Sequence, residues 1–293
     1  MICNQCPRRC NVDRENALGY CKAPNAYKLA RASLHFWEEP CISGKSGSGA
    51  VFFSGCNLGC VFCQNYEISH KCKGVEVSEE RLIRIFEHLV DEGANNINLV
   101  NPTHYAVGLA HTLKKYKPPV PVVYNTSGYD SVDTLKLLDG LVDIYLPDFK
   151  YMRNDKALRY SRAEDYPQFA MAALTEMKRQ VGNDVFDENG IMKRGMIIRH
   201  LVLPGNTNSA IQALDYLSEN FSDTYISVMA QYVPCTDLSE YKEINRKITK
   251  REYDKVVNHI LELGLEKVFL QKLESATEDY IPDFDLSGVV DLE

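Results

Sequence analysis

Phe53-Ser54-Gly55-Cys56-Asn57-Leu58-Gly59-Cys60-Val61-Phe62-Cys63-Gln64-Asn65 joins the end of an apolar run to three closely spaced cysteines. The preceding Ala50-Val51-Phe52-Phe53-Ser54 has the β-branched and aromatic character of a buried strand. Gly55 ends that strand, and Cys56, Cys60 and Cys63 follow at C-x3-C-x2-C spacing in the turn beyond it. Three thiolates on one short loop suit three irons of a cubane. A [4Fe–4S] cluster held this way leaves one iron open to a substrate or cofactor. Zinc is the alternative, with His70 as the nearest fourth ligand.

Downstream, apolar strand-like runs alternate with helical patterns, the rhythm of βα units on a parallel sheet. Strands are expected near 95–100, 120–124, 141–146, 195–203, 224–230 and 266–270, seven in all with the run before Gly55. Helices are expected near 79–91, 105–116, 130–138, 165–180, 207–219 and 249–263. Ser78 is a good N-cap for the first, with an acidic first turn and Gly93 as its stop. Such a pattern predicts an α/β barrel or partial barrel with its chemistry at the carboxyl ends of the strands; an open doubly wound sheet is the competing architecture. The segment 151–195 reads as a longer, partly irregular excursion that borders the site. Upstream, Glu38 to Gly49 is dense in Gly and Ser and reads as a loop. No internal repeat or low-complexity linker is present.

The cysteine stretch resembles the cluster loop of radical S-adenosylmethionine (SAM) enzymes, particularly the pyruvate formate-lyase activating-enzyme-like branch. Phe62 matches the family's aromatic residue before the third cysteine, whose neighbourhood contacts the SAM adenine, and Gln64-Asn65 matches the polar pair that often follows. The resemblance implies a radical SAM partial (β/α)6 TIM-type barrel over 31–275, with a cysteine-rich extension at 1–30 and a tail at 276–293. It implies an activating-enzyme-like oxidoreductase in which the reduced cluster passes one electron to SAM. Cleavage then yields methionine and a 5′-deoxyadenosyl radical for hydrogen abstraction. A flavodoxin or ferredoxin is the expected electron donor. Two destinations stay open: activation of a glycyl-radical enzyme, and modification of another peptide or a small molecule. An iron–sulfur electron carrier is the non-enzymatic alternative, against which chain length and the polar strand ends argue.

Those strand ends supply the candidate contacts. Where the family commonly carries Gly-Gly-Glu for the SAM amino group, this chain has Asn101-Pro102-Thr103-His104, so Asn101, Thr103 and His104 are the candidates; Thr103 as a helix cap is the plain alternative. Asn125 and Ser127 end the next strand, facing SAM or simply forming a turn. Asp148 and Lys150 stand two apart and project to one side if the strand continues. They resemble the activating enzymes' Asp-x-Lys motif, which implies a place near the SAM methionine moiety and a monovalent cation; a surface ion pair is the alternative. Arg199, in a segment resembling the family's Arg-x-x-x-x-Pro-Gly, is suited to holding a carboxylate bidentately. The adjacent His200 reads as a hydrogen-bonded core residue. Gln231 falls at the end of the sixth barrel strand, where SAM or substrate is approached, and Met229 reads as core packing.

Cys3, Cys6, Cys10 and Cys21 supply four more thiolates, enough for a tetrahedral zinc site or a second iron–sulfur cluster. Zinc would staple a short segment, whereas iron and sulfide would make an electron relay or a substrate-binding auxiliary cluster. Arg8 and Arg9 are expected to pair with acidic residues in either case. The chain resembles an uncharacterised branch of activating-enzyme-like radical SAM proteins that combine this pattern with the trio.

Bulk composition narrows the partners. A formal charge of −7 and a pI near 5.6 speak against binding nucleic acid through overall basic charge. With 45% apolar and 25% charged residues the chain reads as a folded globular protein. No membrane-span run or signal h-region is visible, so a cytoplasmic monomer is expected. In that reducing compartment ten cysteines point to metals or catalysis rather than disulfides.

Overall fold

The structure is a computed structural model that describes residues 2–277 and 282–291. At the amino end β1 (Ile2–Cys3) and β2 (Val12–Asp13) form a small antiparallel pair. The main sheet is built from β3 (Tyr27–His35), β4 (Ser48–Phe53), β5 (Val75–Val77), β6 (Ile97–Val100), β7 (Val122–Thr126), β8 (Ile144–Pro147), β9 (Val185–Phe186), β10 (Met192–Leu201), β11 (Tyr225–Met229) and β12 (Val268–Leu270). Its order is β12-β11-β10-β8-β7-β6-β4-β3-β5, with β9 turned back antiparallel on β10.

From β4 through β12 every neighbour in that order is parallel. These seven strands are the seven expected from apolar runs, and they form a partial TIM-type barrel. Parallel strands need crossovers, and the helices supply them while covering the outward residues, among them Phe53, Leu99 and Tyr145. The helix Glu79–Asp91 starts where Ser78 Oγ accepts from the Arg81 N–H at 3.2 Å. Thr249 and Glu252 close a reciprocal capping box at the start of Lys250–Glu262. Tyr166–Val181 and Thr207–Asn220 match their expected spans, and the helix expected near 105–116 is Ala106–Lys115 after a 3-10 turn at Thr103–Tyr105.

Three parts differ from expectation. First, β3 lies antiparallel to both β4 and β5, extending the sheet beyond its parallel portion. Second, the excursion after residue 151 contains a helix, Asn154–Ser161, stabilised by burial of Ala157, Tyr160 and Ser161. Its eight residues are too short and mixed to show a clear period. Third, the Gly/Ser-rich stretch contains a helical turn, Pro40–Ser43, that plugs the amino-terminal mouth of the barrel. Ile42 is fully buried there among Val123, Ile144 and Ile197, and the Asn95 and Asn96 side chains donate to the Ser43 and Ile42 carbonyls at 2.6 and 2.8 Å. Beyond β12, Leu286 N–H donates to Ala30 O and Ala32 N–H to Ser287 O, laying the carboxyl-terminal segment along the part of β3 that β5 leaves uncovered. Among the described residues no helix is long and apolar enough to cross a membrane.

Gly128 joins fold to site. Its φ is +78°, and a Cβ there would lie 2.2 Å from the Asp148 carbonyl oxygen. Gly128→Ala is expected to cost about 2–4 kcal/mol, from the left-handed backbone and the forced displacement together. Thermal unfolding checks this; an unchanged Tm would mean the loop relaxes freely.

Candidate functional site

The carboxyl ends of the strands open into a cavity of about 1330 Å3, counting the space open to solvent at its mouth. Cys56, Cys60 and Cys63 all line it. Their loop is held from several directions: Gly55 N–H donates to Ile68 O, Cys56 N–H to Cys21 O, Val61 N–H to Tyr160 O and Asn57 Nδ2 to Tyr129 O. The N–H groups of Leu58 and Gly59 point at the Cys56 sulfur, at 3.3 and 3.5 Å. Phe62 also lines the cavity and meets Tyr160 and Tyr232 edge-on.

Burial raises the Cys60 and Cys63 thiols, and neighbouring sulfurs add to it, so that Cys63 reaches about 12. The Lys150 ammonium opposes this at both. Buried thiols raised this far ionise only when a cation replaces their protons, which fits an iron–sulfur centre. Among the described residues no three His, Cys, Asp or Glu side chains are gathered tightly enough for a single metal ion. A cubane, which bonds each thiolate through a different iron, asks for a wider spread.

Beside the trio runs a buried chain of charges. Lys150 Nζ lies 2.7 Å from Asp148 Oδ2, and Arg199 Nε lies 3.3 Å from Asp148 Oδ1. Arg199 Nη1 reaches Glu38 Oε2 at 3.1 Å, and its Nη2 donates to Asn125 Oδ1. The Nδ2 groups of Asn98 and Asn125 donate to Glu38 Oε1 at 2.9 and 3.1 Å. With side chains only 11–16% exposed, this is no surface ion pair. Burial alone would raise Asp148, but Lys150 and Arg199 outweigh it and hold the carboxyl below its usual range. Burial likewise opposes the Arg199 charge, and Asp148, Glu38 and Glu39 more than offset it. Glu39 itself is raised by burial, against the pull of Arg199.

Asn101, Asn125, Ser127 and Gln231 face the same cavity as Asp148, Lys150 and Arg199. Asn101 adopts a left-handed backbone, φ 58°, and gives its Nδ2 to the Gly55 carbonyl. The Ser127 hydroxyl is buried without a partner, and Gln231 Oε1 accepts from Gln271 Nε2. Thr103 and His104 do not line the cavity. Thr103 caps no helix; its hydroxyl meets that of Thr126, which donates to buried Asp130. His104 Nε2 donates to Ser54 O behind the cysteine loop, and burial drives its pKa down to about 3, leaving it neutral. His200 is a core histidine bonded through Nδ1 to Phe149 O. Met229, though buried, forms part of the cavity wall.

Glu38 escaped sequence reasoning. Its only local signal was an acidic pair, Glu38-Glu39, in an otherwise Gly/Ser-rich loop, and nothing there shows that the loop threads beneath the barrel.

At the amino end Cys6 and Cys21 are buried, Cys3 and Cys10 half-buried. Burial pushes Cys6 up to about 12, and Cys21, Cys10 and Cys3 each raise it further, so the four thiols act on one another electrostatically without being gathered tightly enough for a single metal ion. Arg8 seeks carbonyls rather than carboxylates: it donates to the oxygens of Asn57, Leu58, Ser161 and Arg162, because the turn it enters exposes peptide oxygens and no acid.

The family model of the radical SAM superfamily matches residues 50–217, and the chain belongs to that superfamily. The family's cofactors are a [4Fe–4S] cluster and SAM. An uncharacterized protein of Methanocaldococcus jannaschii is 30% identical over 281 residues, 91% of this chain and 76% of that protein. Among solved structures, Streptococcus suis SuiB bound to the precursor peptide SuiA is similar with a TM-score of 0.53 and 16% identity, over 75% of this chain and 48% of that one. The FeFe-hydrogenase maturase HydG of Carboxydothermus hydrogenoformans has a TM-score of 0.50 and 15% identity, over 73% and 50%. The chain spans about half the length of those two proteins, and the likeness to them is one of fold.

Proposed function

We propose that Cys56, Cys60 and Cys63 hold the [4Fe–4S] cluster and that the cavity beside them binds SAM and directs hydrogen abstraction toward a polypeptide, most simply a glycyl residue of a partner enzyme. The observation that carries this is the meeting of three thiols and an ionic Asp148–Lys150–Arg199 wall in one open cavity. When bound, cluster and SAM supply reductive cleavage of SAM and the radical that takes the hydrogen atom. Asp148 and Lys150 offer a carboxylate and an ammonium to the zwitterionic methionine end of SAM. Arg199 keeps Asp148 ionised and in place. Phe62, Asn101, Asn125, Ser127 and Gln231 are the remaining candidate contacts, Ser127 having a hydroxyl to spare. Thr103 and His104 support the wall from behind.

Modification of another peptide is the second reading, favoured by the fold shared with SuiB, a protein solved with its precursor peptide. Cys3, Cys6, Cys10 and Cys21 are the ligands assigned to a second metal, an iron–sulfur cluster at their present spacing or zinc if they draw together, and a cytoplasmic flavodoxin or ferredoxin supplies the electron.

The test is anaerobic reconstitution followed by reduction in the presence of SAM, with 5′-deoxyadenosine, iron, sulfide and zinc measured on the same sample. Wild-type protein loaded with iron is expected to release 5′-deoxyadenosine, and its absence would overturn the reading. The same metal analysis on Cys3→Ala identifies the second site: loss of zinc alone marks a staple, and loss of iron with sulfide a second cluster.

A further inference from the structure

We propose that the amino-terminal cysteine segment tunes the catalytic cluster through Arg8, which grips the turn that aims the Ser161 hydroxyl at the Cys60 sulfur. This rests on Cys60 being a cluster ligand, as proposed above.

Ser161 is the last residue of the helix Asn154–Ser161 and is fully buried. Its Oγ donates to Cys60 Sγ at 3.1 Å, and the Tyr151 hydroxyl lies 2.7 Å from the same Oγ. A serine hydroxyl has one hydrogen. If it goes to sulfur, Tyr151 must donate to Ser161, and the two hydroxyls form a polarised chain ending on the sulfur. Hydrogen bonds to cluster sulfurs are among the determinants of reduction potential. Because they stabilise the more electron-rich state, this chain makes the cluster easier to reduce.

Arg8 holds the chain in position. After Ser161 the backbone turns through Arg162 in the left-handed region, φ 50°, leaving the helix's last carbonyls without partners in the helix itself. Arg8 Nη2 donates to Ser161 O at 3.0 Å and Nη1 to Arg162 O at 2.6 Å, a cation at the negative end of a helix. The same guanidinium donates through Nε to Asn57 O at 2.8 Å and through Nη2 to Leu58 O at 3.1 Å, both between Cys56 and Cys60. Tyr20 stacks on Arg8 at 3.8 Å and gives its hydroxyl to Leu58 O.

Each of these residues is tethered to the amino-terminal thiols. Arg8 lies between Cys6 and Cys10, Tyr20 precedes Cys21, and the Cys21 carbonyl accepts the Cys56 N–H. Cys10 Sγ accepts the Tyr20 N–H at 3.3 Å, so the thiol segment fixes the ring that stacks on Arg8, and loss of that sulfur loosens the grip of Arg8 on the cluster loop and on Ser161.

The test is an EPR-monitored redox titration of the reconstituted full-length protein, with Cys56→Ala identifying the trio's signal. Ser161→Ala is expected to make reduction about tenfold less favourable, a fall of about 59 mV for one electron. Tyr151→Phe, which keeps the ring packing, is expected to shift the potential the same way by less. Arg8→Gln is expected to shift it at least as far as Ser161→Ala. Cys10→Ser is expected to lower it too, and to add nothing once Arg8→Gln is present. Unchanged potentials in Ser161→Ala and Tyr151→Phe with full iron would overturn the tuning, and full additivity of Cys10→Ser with Arg8→Gln would overturn the route through Arg8. A trio signal that survives Cys56→Ala would instead overturn the ligand assignment. Normal potentials and shifts without 5′-deoxyadenosine would count against the proposed function alone.

Discussion

Cys56→Ala is expected to lose the iron of the catalytic site, about four per chain, and to reduce 5′-deoxyadenosine release to the detection limit. The expectation follows from the placement of the thiols. All three border one cavity on one loop, so removing any of them leaves two ligands for a centre that needs three. Cys56 is an informative position because it is half-buried and its sulfur accepts two backbone N–H groups, whereas Cys60 is buried in the wall. Its loss should leave the barrel folded, so circular dichroism should match the wild type while iron and product disappear. Retained iron and product would show that the cluster sits elsewhere.

Arg199→Ala is expected to cost about 3–5 kcal/mol of stability, because it removes one partner from a buried ionic network and strands the others. Asp148 would keep Lys150, while Glu38 would keep only the Asn98 and Asn125 amides. The pH dependence gives a second reading. In the wild type Asp148 is held below its unfolded value, so its contribution is present above the unfolded pKa and is lost as pH falls through the folded one. Glu39 has the opposite sign: raised on folding, it favours the folded state below its unfolded pKa, and that advantage disappears as pH rises through the folded value. Without Arg199 both Asp148 and Glu39 move upward, since burial continues to penalise their charge. The stability difference between variant and wild type should therefore be larger at pH 8 than at pH 5. Denaturant unfolding at the two pH values checks this, and an equal loss at both would assign Arg199 a packing role instead.

Much of the site was legible because it lies at the ends of strands that announce themselves locally. Apolar runs bounded by Gly and Pro marked the seven parallel strands, and polar residues in their last positions or just beyond them, Asn125, Ser127, Asp148, Arg199 and Gln231, had little choice but to face one end of the barrel. The alternation that joined Asp148 to Lys150 is a property of two neighbouring residues and survives in the ion pair. Thr103 and His104 obeyed a different constraint. One helps to satisfy buried Asp130 through Thr126 and the other the Ser54 carbonyl, demands that arise only when distant strands meet.

From the sequence alone came the cysteine trio with its cluster-like spacing, the βα rhythm and the Ser78 cap that starts one of the outer helices, since each depends on residues within a few positions of one another. Only the tertiary structure brought Glu38 beneath Arg199, 161 residues away, added β3 and β5 to the sheet, and laid Arg8 across the turn that holds Ser161. These contacts satisfy buried charges and carbonyls, and their partners are chosen by where the barrel delivers them rather than by any pattern along the chain.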